Sequence, residues 1–315
     1  MKQIQRTIVA LLFLTFAAEP AFSIEYYLRA DVTTKVMPDN TVVTMWGFAM
    51  DPDFETETGE VTIPGPTLVV PPGDDTLIIH LKNNLTMAKL IYTACPASVV
   101  IPGLPAAMTP QRFPEGGMYP QYAGRIRNLT YDTPPGNTTP VDYIWTNVKP
   151  GSYIYYSGNH IACHVQMGLY GAVTKNADIN QAYPGIAYDQ EVLLFYSEID
   201  PAFHEAVATG NYGPGKTMSS TMDYHPKYFL VNGSPFVPGQ LPISAGSVGQ
   251  NILVRFFNAG LETHVAQFQN LRGILLAEDG WPLNYQTDQY TFELQALKTK
   301  DVLLQPAAAG TYPVY

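Results

Sequence analysis

The stretch His160-Ile-Ala-Cys163-His164-Val-Gln-Met167 gathers two imidazoles, a thiol and a thioether within eight residues. It runs straight into the glycine-punctuated apolar segment Gly168-Leu-Tyr-Gly171-Ala-Val. Donors of this softness suit copper, and two neutral imidazoles facing one point suit copper or zinc. His160 and His164 stand four residues apart, which places both rings on one face of a strand and also brings them together on a helical turn. They are the candidate metal ligands. The competing reading makes them polar loop residues capping carbonyls. Met167 precedes the glycine turn in an apolar run and belongs in the core.

The remaining reactive residues are more scattered. Cys95 and Cys163 are the only cysteines; an even count in an exported chain reads first as one disulfide, with Cys163 as a copper thiolate the alternative. His80 alternates with Leu77, Ile79 and Leu81 and should point away from the core. His204, His225 and His264 have no partner at ligand spacing. Asp51, Asp53, Glu55, Glu57 and Glu60 form an acidic loop, either a solvated face or a site for a hard cation such as calcium. There is no Gly-x-Ser-x-Gly elbow and no phosphate-cradling glycine motif, so hydrolysis and nucleotide binding have no support.

Elements that would position these residues are legible from periodicity. Gly65-Pro-Thr-Leu-Val-Val-Pro-Pro-Gly73 to Asn83 reads as strand, Pro-Gly turn and alternating strand ending at an asparagine. Gly239 to Asn258 repeats that plan. Period-2 alternation bounded by turns marks half-buried strands, and two such units predict two tandem β-sandwiches. Strands are expected at 41–48, 67–70, 76–82, 98–101, 152–156, 169–174 and 191–197, then at 228–231, 251–258, 271–278, 290–294 and 301–305. Asp200 should cap a short joining helix with Pro201 in its first turn. Residues 102–124 read as a long surface loop. Gly151-Ser-Tyr153 opens a strand that is followed by a closing strand, whereas the matching Gly310-Thr-Tyr312 is followed by three residues only. The second sandwich is therefore expected to lack its closing strand, either because the sequence is a fragment or because a partner supplies it.

Composition agrees with an all-β chain. Only 14% of residues are charged, while the 315 residues include 27 Pro, 25 Gly and 21 Tyr. Residues 1–23 have the basic start, apolar run and small-residue site of a signal peptide. The apolar run is too short to span a membrane. The mature protein is expected to be periplasmic or secreted, with domains at 24–180 and 181–315. A net charge of −10 without a Lys/Arg cluster to neutralise phosphates argues against nucleic acid.

The run from Lys149 to Val173 resembles the end of the first cupredoxin domain of multicopper oxidases. "MWGFAMDPDF" from Met45, "IPGPTLVVPPGDDTLIIHLKNNL" from Ile63, "YFLVNGSPF" from Tyr228, "VRFFNAGLETHVAQFQNLRGILLAEDG" from Val254 and "AAAGTYPVY" at the end follow in the family's order. The resemblance implies two cupredoxin-like Greek-key sandwiches and copper as cofactor. It implies oxidation of a small-molecule or metal-ion reductant with dioxygen, provided a further C-terminal domain or a partner chain supplies the rest of the copper centre. It also implies two His-x-His pairs in the first domain. The chain carries no histidine in 87–103, and near the second pair it carries only His160, with His164 as an additional candidate. A non-catalytic module for copper handling or surface assembly is the alternative.

Overall fold

The computed structural model describes residues 22–86, 95–116 and 120–314. Residues 1–21, which fall in the stretch read from the sequence as a signal peptide, and the segment 87–94 lie outside the described residues.

In the first half, β1 (Phe22–Val36), β2 (Val42–Asp51), β3 (Gly65–Val70) and β4 (Asp74–Asn83) are followed by the short β5 (Gln111–Arg112) and β6 (Ile126–Asn128). Then come β7 (Val141–Trp145), β8 (Gly151–Tyr156), α1 (Ile161–Met167) and β9 (Tyr170–Lys175). A linking hairpin, β10 (Gln181–Tyr183) and β11 (Ile186–Ala187), leads to β12 (Gln190–Ile199) and α2 (Pro201–Ala208). The second half contains β13 (Tyr228–Val231), β14 (Ser234–Pro235), β15 (Ile252–Asn258), β16 (His264–Gln267), β17 (Gly273–Glu278), β18 (Trp281–Gln289), β19 (Thr291–Leu294) and β20 (Thr299–Leu304).

The first sandwich packs the sheet β2-β1-β4-β7 on the sheet β3-β9-β8. Leu77, Ile79 and Leu81 point inward from β4 to meet Trp46, Phe48, Trp145 and Tyr155 in one core. The second is built on β14-β13-β12-β15-β20-β17-β18, whose inner face meets the two-stranded β16-β19 around Phe256, Phe268 and Phe292. The pairing repeats between halves: β1 lies parallel to β4 and antiparallel to β2, as β12 lies parallel to β15 and antiparallel to β13. The chain is thus all-β with two sandwiches, as the alternation predicts.

Most expected strands are present within a few residues of their predicted bounds, and Asp200 Oδ1 accepts from the N–H groups of Ala202 and Phe203 at the start of α2. Residues 98–101 differ: they form no strand, and the chain there makes only isolated bridges, Ala97 with Thr133 and Val100 with Tyr156. The loop 102–124 contains the small β5, paired with β6. Among the described residues no strand follows β20; Val314 makes one bridge to Phe268.

A buried polar seam joins the sandwiches. Arg255 of β15 is fully buried, and its guanidinium reaches Glu191, Ser152, Asn176 and Asp301. Ser152 belongs to the first sandwich and its Oγ donates to Asp301 at 2.5 Å. Gly151 and Gly280 meet here so closely that a Cβ on Gly151 would sit 2.6 Å from the Gly280 Cα.

Candidate metal site

His160 and His164 lie on a helical turn, not on a strand. α1 starts after His160, which sits in the left-handed region (φ 44°) and uses its carbonyl to accept from the N–H groups of Cys163 and His164. Its side chain makes no capping hydrogen bond. The helix stops at Gly168 (φ 119°), where a Cβ would lie 2.2 Å from the Trp46 carbonyl oxygen, so only glycine fits between α1 and β2. The two imidazole centroids are 6.1 Å apart.

The two rings sit in different surroundings. His160 is exposed. His164 is buried, its Nδ1 is 2.8 Å from Ser157 Oγ, and its ring stands edge-on to Trp46 with centroids 5.4 Å apart. Burial, aided by the neighbouring His160, pulls its pKa down to about 3, so the imidazole is neutral at any physiological pH. A neutral ring with one nitrogen tied and the other available is the state a metal ligand needs. Ser157 is itself held, accepting from the Ser98 N–H at 3.2 Å. The capping alternative does not describe either side chain.

Cys163 lies in the first core, where burial pushes its thiol up to about 12, with a smaller push from Cys95. It is a protonated thiol, and the two cysteines are thiols here instead of the disulfide their count suggests. Met167 is fully buried, as its apolar run predicts.

The other histidines are accounted for by neighbours. His80 faces outward, stacked on Tyr27 at 4.5 Å with Nδ1 2.7 Å from Asp142. His264 Nε2 lies 3.2 Å from the buried Glu198. His225 is exposed in its loop, with its backbone N–H donating to Asp200. His204 is buried beneath β2: Nδ1 donates to the Thr44 carbonyl at 2.7 Å while Nε2 has no partner, and burial lowers its pKa to about 4. The acidic loop does not converge on a cation. Asp51 accepts from Arg29 and the Gly59 N–H, Asp53 from the N–H groups of Glu55 and Thr56, and Glu57 pairs with Lys82. Among the described residues no group of three or more His, Cys, Asp or Glu side chains gathers as a metal set.

Sequence reasoning missed Ser157 and Trp46. Both earn their place through contacts made only on folding, Ser157 with a ring seven residues on and Trp46 with one far along the chain.

No protein-family model matches the chain, and no curated protein matches it. Solved structures do. The blue copper oxidase of Nitrosomonas europaea superposes with a TM-score of 0.67 at 16% identity over 93% of this chain and 79% of its own. A multicopper oxidase of Pseudomonas thermotolerans gives 0.64 at 18% identity, covering 93% and 61%. The copper nitrite reductase of Nitrosomonas europaea gives 0.63 at 18% identity, covering 93% and 88%. The fold is therefore the paired cupredoxin sandwich of multicopper oxidases, with which this chain shares architecture along nearly its whole described length.

Proposed function

We propose that this chain is an exported, copper-binding protein of the multicopper oxidase class, with cupredoxin domains at 24–180 and 181–315 behind a signal peptide at 1–23, acting in the periplasm or outside the cell. His160 and His164 are its copper ligands. The observation that carries this is the state of His164: buried, neutral, oriented by Ser157 and facing a second imidazole. In the tautomer in which Nδ1–H donates to Ser157 Oγ, Nε2 keeps the lone pair a metal takes. Trp46 restricts the ring from the side, and His160 opens the pair to solvent. Two imidazoles beside a protonated thiol fit a low-coordinate copper site without a copper–thiolate bond. Copper held in this way supplies one-electron chemistry and a means of carrying the ion.

The likeness to oxidases over 93% of the chain favours a second reading. In it the protein oxidises a small reductant, a phenol or a metal ion, with dioxygen, using ligands from a further domain or a partner chain. Copper per chain, read with the visible spectrum, tests the first reading. About one copper, lost in His164→Ala and lacking a strong band near roughly 600 nm, is the expected result. No bound copper overturns it. Copper-dependent oxidation of a phenol by the chain alone would instead establish the second.

A further inference from the structure

Three of the chain's seven arginines fall on one small hairpin, a grouping that their spacing in the sequence hides. Arg112 lies on β5, Arg125 just before β6 and Arg127 within it. All three are exposed, whereas Arg29 and Arg255 are buried in ion networks. Asp132 pairs with Arg127, and between residues 105 and 131 only Glu115 stands against Arg112 and Arg125, in a chain whose net charge is −10. Arg125 lies over the Tyr122 ring at 5.6 Å, and Arg112 Nη1 donates to the Gly124 carbonyl at 2.7 Å, contacts that stiffen both side chains while leaving guanidinium edges to solvent.

The hairpin is tied to the candidate copper site. Arg127 pairs with Asp132. Asp132 Oδ1 accepts from Asn159 Nδ2 at 2.7 Å and from Asn128 Nδ2 at 2.9 Å. Asn159 is the residue before His160, the exposed member of the imidazole pair. Through Asp132 and Asn159 the arginine-bearing hairpin is therefore tied to the chain at the accessible ligand.

We infer that the β5–β6 arginines dock a small carboxylate-bearing copper chelate that hands its ion to His160 and His164. The inference rests on the copper reading above and deepens it by naming the chemistry of the donor. Guanidinium forks match carboxylate geometry, and a local field of opposite sign raises the encounter rate of an anionic carrier above that of a neutral one. The transfer is ligand exchange: copper–carboxylate bonds break, copper–imidazole bonds form, and the chelator leaves as its free anion with no change of oxidation state.

Copper(II) citrate, an anion, and copper(II) bis(glycinate), which is neutral, would be mixed with the mature protein at matched free copper. Quenching of the tryptophan beside His164 reports arrival of the ion. At low ionic strength citrate is expected to load the site about three- to tenfold faster than glycinate, and the advantage should fade with added salt. Arg112→Glu/Arg125→Glu should abolish it and Arg112→Gln/Arg125→Gln reduce it, at unchanged final copper content. Arg272→Glu, in the second sandwich, should retain it. Uptake at rates indifferent to chelate charge overturns the docking inference alone. No uptake from either chelate overturns the copper reading and the inference together.

Discussion

Asn83 and Asn258 end equivalent central strands of the two sandwiches, and each binds three backbone groups in the same pattern. Asn83 Nδ2 donates to the carbonyls of Cys95 and Thr133 at 2.8 and 2.9 Å, and its Oδ1 accepts from the N–H of Leu85, two residues on. Asn258 Nδ2 donates to the carbonyls of Glu262 and Leu294 at 2.8 and 2.9 Å, and its Oδ1 accepts from the N–H of Gly260, again two residues on. The framework is duplicated to the level of single hydrogen bonds. What packs on it is not: a three-stranded layer and α1 in the first sandwich, a two-stranded layer in the second. The candidate metal site arises where the second layer is fullest, because α1 needs β2, β8 and β9 around it to bury His164.

The largest expected effect tests whether the two halves form one unit. Arg255→Ala leaves Asp301 and Glu191 without their cation in a seam shared with Ser152 of the first sandwich, and removing one partner of a buried pair costs about 3–5 kcal/mol. If the halves are coupled, denaturant unfolding shows both sandwiches weakened; loss confined to the second would break the coupling. Next come the matched asparagines. Asn83→Ala and Asn258→Ala should each cost about 3 kcal/mol, since each leaves buried backbone groups unpaired. Unequal costs would mean that the repeat is one of geometry and not of energetics.

These asparagines were visible in the sequence because each closes an alternating strand, and alternation reports burial directly. The same signal located β3, β4, β8, β9, β12 and β15. It failed for α1, whose seven residues are too few to show a helical period and whose end is dictated by the Trp46 carbonyl meeting Gly168. It failed for His204 as well: nothing local distinguishes a surface histidine on a short helix from one whose Nδ1 meets a carbonyl 160 residues away. Spacing alone paired His160 with His164, while Ser157, which decides how His164 is presented, needed the folded geometry.

Acid separates the halves by their histidines. His164 and His204 are both buried against the first sandwich, with pKa values lowered to about 3 and about 4. In the unfolded chain each titrates near 6.5. Above that pH the groups are neutral in both states. Below it the unfolded state binds protons that the folded state refuses, so stability falls as pH drops from about 6.5 toward 4. His204 alone should account for about 2 kcal/mol of the loss at pH 5. His204→Gln, compared with the parent protein at pH 7 and pH 5, should show a correspondingly shallower slope. An unchanged slope would mean that His204 is hydrated in solution.

The smallest effect is expected where the second sandwich is thinnest. β18 places Trp281, Leu283 and Tyr285 on the face that meets the core, yet only Leu283 packs against it. Trp281 is 75% and Tyr285 88% exposed. In the first sandwich Trp145 occupies the edge strand β7 of the corresponding sheet and is fully buried. Trp281→Ser removes no buried contact, so it should shift unfolding by no more than about 0.5 kcal/mol. It should also remove the tryptophan emission most accessible to iodide and leave that of Trp46 and Trp145. A cost above about 1 kcal/mol, or protection of Trp281 from iodide in the parent protein, would mean that this face is covered in solution, and the difference between the two sandwiches would then lie in who supplies the covering layer.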